Sequence, residues 1–89
     1  MKVYNMENSK GNIVKNQFII EDKNKIIFQS YDSVIAVRNK KTGKVTLDSY
    51  YWDYSATTGR FRNIFLNEGI AETRKKITSG IYKLSNLNK

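Results

Sequence analysis

Three aromatic residues at alternate positions, Tyr50, Trp52 and Tyr54, are followed by Arg60 and Arg62 and then by the cationic run Arg74-Lys75-Lys76. Aromatic faces interleaved with guanidinium and ammonium groups offer two kinds of chemistry. They can stack on nucleobases while contacting phosphates, or they can bury large amphipathic side chains against a protein surface that carries acid. Asp53 lies inside the aromatic run and disfavours a phosphate there. These eight residues form the candidate partner-binding set.

Other chemistries are closed by what is missing. The chain has no cysteine, histidine or proline, which removes disulfides, thiolate and imidazole metal sites, and nucleophiles activated by histidine. General acid and base work would fall to eight carboxylates. Asp48 and Asp53 point to opposite sides of an extended strand, and Glu68 and Glu72 have Gly69 between them. The five glycines are scattered and build no phosphate-binding loop. The expectation is a protein that is not an enzyme, with no catalytic, cofactor-binding or metal-binding residues.

The elements that must position the aromatic and basic residues fit within one domain, since 89 residues hold one small core. The first 15 residues are polar and without sustained period. They are expected to form a flexible or loosely attached arm with room for a short strand, leaving residues 16–89 as the domain. Phe18-Ile19-Ile20 and Ile26-Ile27-Phe28 are short apolar runs separated by Glu21–Lys25, a turn-forming stretch, and so predict a hairpin. Val34–Arg38 is β-branched and short, hence a third strand, and Gly43 supplies the positive φ for the turn into a fourth, Val45–Trp52. On that fourth strand Val45, Leu47 and Tyr51 share one face, whereas Tyr50, Trp52 and Tyr54 share the other. Trp52 has a competing reading, in which it packs beneath a helix and anchors the core.

At Ser55–Thr58 the apolar period changes from two to about 3.6, with hydroxyls able to cap a helix start. Phe61, Ile64 and Phe65 then fall on one stripe. Gly69 is expected to end or kink this helix. A second helix follows, with Ile70, Thr73, Arg74 and Ile77 at helical spacing and Gly80 just beyond its end. Arg74, Lys75 and Lys76 also suit a helix C-terminus on electrostatic grounds alone. The fold class is thus α+β: an antiparallel sheet of about four strands over residues 17–54, followed by two short helices, about 57–67 and 70–79, packed on one face.

The stretch Trp52-Asp53-Tyr54-Ser55-Ala56-Thr57-Thr58, running through Phe61 to Phe65-Leu66, resembles small uncharacterised proteins of bacteriophages and other mobile elements. Those proteins share a Trp-x-Tyr-Ser-x-Thr-Thr stretch leading into a helix that ends Phe-Leu. The likeness covers Gln17 to Asn88 and implies an accessory protein. By analogy with anti-CRISPR inhibitors, it implies stoichiometric inhibition of a host protein or protein–nucleic-acid complex.

Net charge sets the partner. With 16 Lys and Arg against 8 Asp and Glu, the chain carries +8, so it attracts acidic protein faces and nucleic acids and is a poor mimic of DNA. The expected partner is a host complex with an acidic face, the alternative being DNA or RNA bound by a basic regulatory domain. Apolar runs of only a few residues span no membrane, and the N-terminus lacks the continuous apolar stretch of a secretion signal. The expected compartment is the cytoplasm of a bacterial host.

Overall fold

A computed structural model describes all 89 residues. In chain order the elements are β1 (Lys2–Glu7), β2 (Ile13–Glu21), β3 (Lys25–Ser30), β4 (Ser33–Asn39), β5 (Val45–Asp48), α1 (Ala56–Leu66), α2 (Ile70–Thr78) and β6 (Lys83–Ser85). The strands form one sheet in sequential order from β1 to β6. Neighbours from β1 to β5 are antiparallel, while β6 lies parallel to β5 because two helices intervene.

The fold is therefore α+β with a six-stranded mixed sheet, where four antiparallel strands were expected. The two additional strands are the edges. Residues 1–15, expected as a loosely attached arm, carry β1 and the first residues of β2. Only Met6 of β1 is buried, and β6 is exposed throughout, so neither edge has a strong alternating pattern. Both helices lie where helical spacing put them, to within a residue or two. Ser55 is the N-cap of α1 and its side chain accepts the Thr58 N–H. Asn67, in the left-handed conformation at φ 57°, ends α1, so Gly69 instead opens α2 as its N-cap.

Cross-strand partners place Ile19, Phe28, Ala36 and Leu47 in one row on one sheet face. That row is the centre of the core, closed by Phe61, Phe65 and Leu66 of α1. The Phe28 and Phe65 rings meet at 5.8 Å between centroids. Arg38 reaches up from the same face, with its guanidinium 4.8 Å from the Phe65 ring centre. It donates to the Phe65 carbonyl at 2.8 Å, one of the carbonyls that the helix end leaves unpaired. α2 follows with Thr73 buried and Ile77 packed at the margin of the cluster.

The opposite face carries a second row, Val3, Ile20, Ile27, Val37 and Thr46, which ends at Lys83. Phe18 and Val34 flank it. All but the exposed Val3 and Lys83 are half-buried, and the buried residues of the helices belong to the other side. The short apolar runs thus put aliphatic side chains on both faces of strands that helices cover on one face only.

Candidate functional site

The aromatic and basic residues singled out in the sequence occupy three different environments. β5 stops at Asp48, because the Asp48 carboxylate is buried and accepts the N–H groups of Tyr50 and Tyr51 at 3.1 and 2.7 Å. The Asp48 carbonyl accepts from Trp52 N–H, closing a turn. Tyr50, Trp52 and Tyr54 therefore do not share a strand face. Tyr50 and Tyr54 are exposed, with Tyr51 packed edge-on against both rings. Trp52 is half-buried against the core, and the Arg62 guanidinium sits 5.3 Å from its ring centre.

Arg62 is not a surface cation. Its side chain is only 2% exposed and donates to the Trp52 carbonyl, to Asp53 Oδ1 and to Asn63 Oδ1. The reason is local: a cation with three acceptors and an indole face loses less on leaving water than an unpaired one. Arg74 is exposed but leans on the other oxygen of Asp53 at 3.4 Å. Lys76 donates to Glu68 at 2.6 Å, and Glu68 also accepts from Thr73 and from the Tyr82 hydroxyl. Among the candidates, Arg60 and Lys75 are exposed and make no ion pair.

Lys40 lowers the pKa of Glu21, and two carboxyls inside the fold are shifted by burial and several donors. Burial pushes Asp48 upward, but the N–H groups of Leu87, Tyr51 and Tyr50 and the Asn88 amide outweigh it and hold it below the ordinary carboxylate range. Burial likewise raises Glu68, and its bonds from Lys76, Thr73 and Tyr82 bring it below its ordinary value. Both carboxylates hold the fold together, Asp48 by tying the turn to the tail at Leu87 and Glu68 by joining α2 to the residue before β6. Glu68 is thus engaged by three donors while Glu72 is exposed, so the two do not form a site.

Cations that the sequence scatters converge elsewhere. Hairpin pairing sets Lys25 opposite Asn39, and Lys40 N–H bonds to the Asn24 carbonyl, which brings the β2–β3 and β4–β5 turns to the same end of the sheet. Lys23, Lys25, Lys40, Lys41 and Lys44 gather there, and Lys83 joins them through β6. Of these six, only Lys40 has an acidic partner, Glu21 at 3.0 Å. Strand alternation places Lys25, Lys44 and Lys83 on the side away from the helices, since they are two residues from Ile27, two from Thr46, and opposite Thr46 respectively. A groove of about 450 Å³ opens between them, lined also by Val37, Asn39 and Thr46.

The candidate site is thus the uncovered sheet face with its lysine-rich end. The sequence did contain its signal. Continuous apolar runs in strands imply apolar residues on both faces, and one helical layer covers one face. Lys23, Lys25 and the Lys40–Lys44 group were also legible as local charge, but not as neighbours.

No helix is long and apolar enough to cross a membrane. Residues 1–80 match a family of unknown function (DUF8033), so the chain belongs to that family. No curated protein and no solved structure matches it.

Proposed function

We propose that this member of the DUF8033 family is a non-enzymatic binding module that docks a protein with an acidic face on the side of its sheet away from the helices. One observation carries the reading: the aliphatic row Val3, Ile20, Ile27 and Val37 lies uncovered and leads to Lys83. An apolar strip bordered by cations that lack partners suits a protein interface, in which the strip excludes water and the charges steer and orient. Its side chains are mainly aliphatic, with Phe18 as the one aromatic beside the row. Base stacking needs aromatic planes, so the same face is poorly made for single-stranded nucleic acid. The role of a phage-type accessory that inhibits a host complex draws its support from the resemblance of Trp52–Leu66.

The test is a pull-down with the full chain from nuclease-treated lysate of the source cells, run beside Ile27→Glu and Tyr50→Ala variants checked for folding by circular dichroism. The reading expects a defined protein retained by the native chain and by Tyr50→Ala, and lost with Ile27→Glu. Retention by Ile27→Glu, or loss of every partner after nuclease treatment with steeply salt-dependent DNA binding in its place, overturns it.

A further inference from the structure

Resting on that docking surface, we propose that the groove between Lys25, Lys44 and Lys83 is a carboxylate site, and that a run of Asp or Glu side chains in the partner's docking segment occupies it. The chain places ion-pair acids beside Lys40, Arg62, Arg74 and Lys76 and none beside Lys25, Lys44 or Lys83. These three come from different elements, the start of β3, the β4–β5 turn and β6, and only the sheet brings them together.

Like charges held around one concavity raise its positive potential, and a low-dielectric floor concentrates the field. Val37, Val45 and Ile81 supply its apolar lining. Asn39 borders it at the end of β4. The groove's volume, about 450 Å³, admits several side chains and is wider than a single oxyanion needs. It also opens directly onto the aliphatic row, through Val37 and Thr46, which belong to both. A partner segment that runs along the row therefore brings its next residues over the lysines. Lysine acts as a mobile point charge rather than a fixed fork, which suits a flexible series of carboxylates over one planar group bound bidentately.

The probe is a hexaglutamate peptide titrated into the ¹⁵N-labelled chain at low salt, read by amide shifts. Three chains are compared: the native one, Lys25→Glu/Lys44→Glu/Lys83→Glu, and a control of equal charge change at exposed lysines away from the groove, Lys10→Glu/Lys15→Glu/Lys89→Glu. The proposal expects shifts centred on Val37, Asn39 and Thr46, and affinity lower by about tenfold or more in the groove variant but by less than about threefold in the control. Equal losses in the two variants, or shifts spread over lysines throughout the chain, overturn it. Tripolyphosphate bound more tightly than hexaglutamate at the same amides also overturns it, by making the groove a phosphate site. The outcome separates from that of the docking reading. Hexaglutamate seated in the groove of an Ile27→Glu chain that still retains its partner keeps the carboxylate site and removes the docking face. Hexaglutamate bound elsewhere, with partner capture lost in Ile27→Glu, does the reverse.

Discussion

The two helices that pack around the Trp52 turn and the lysine-rich end of the sheet are both basic in sequence, yet the fold treats them in opposite ways. At the turn, Asp53 lies between Arg62 and Arg74 and bonds to both, while Glu68 holds Lys76. Three of the five cations there are paired within the chain, and Arg62 and Arg74 fasten the helices to the turn through Asp53. At the sheet end six lysines meet with one ion pair among them, and their charge faces solvent. Around the turn the folded chain sets Asp53 and Glu68 against Arg62, Arg74 and Lys76, whereas most of the lysines gathered by strand pairing have no acid beside them and are available to an outside anion. Dense basic residues are therefore a weaker guide to a binding surface than basic residues without partners.

The comparison can be broken first at Asp48, which anchors the turn. Asp48→Ala leaves the N–H groups of Tyr50, Tyr51 and Leu87 without their acceptor and is expected to cost about 3 kcal/mol, read as a shift of the urea midpoint. Arg62→Ala comes next, at about 2 kcal/mol, because it removes the Trp52 carbonyl's donor and the cation on the indole face. The cost is moderated because the acid left behind, Asp53, is 39% exposed and regains water. A change at Arg62 that weakens partner capture without lowering stability would erase the distinction between the two regions.

Acid titration gives a smaller and graded effect. Asp48 and Glu68 both have lowered pKa values in the fold, so their contribution is complete above the ordinary carboxylate range, about pH 4, and is lost as pH falls through the lowered values. Stability should decline below about pH 4 in urea titrations, and Asp48→Asn should flatten that decline. Smallest of all is Lys44→Glu. It lies on the exposed rim without an ion pair, so the unfolding midpoint should stay within experimental error while binding of hexaglutamate weakens. A large stability loss there would mean that the lysine end, too, is part of the scaffold.

Much of the framework was legible. Alternating and β-branched runs located β2 to β5, Ser55 marked the start of α1, and Gly80, with φ of 85°, follows α2 as expected of a residue past a helix end. β1 and β6 were weak in sequence because edge strands bury little. β5 was read too long because Ser49–Trp52 continues the alternation of a strand, and only the buried carboxylate of Asp48 shows that the backbone turns. Ile64, placed on the apolar stripe of α1, is exposed instead, since the sheet meets that helix through Phe61, Phe65 and Leu66.

The site was legible in its parts and misplaced as a whole. Tyr50, Tyr54, Arg60 and Lys75 are exposed as a recognition patch requires, but Arg62 is buried and Arg74 and Lys76 are paired. By itself the sequence determined the charge balance, the absence of cysteine and histidine, the α+β class and the period of each main element, since these depend on composition and on neighbours along the chain. Which cations remain free, and which apolar face remains uncovered, was decided by the tertiary structure. Both depend on distances between residues far apart in sequence, and those distances exist only once β2 to β6 have paired and the helices have taken one side of the sheet.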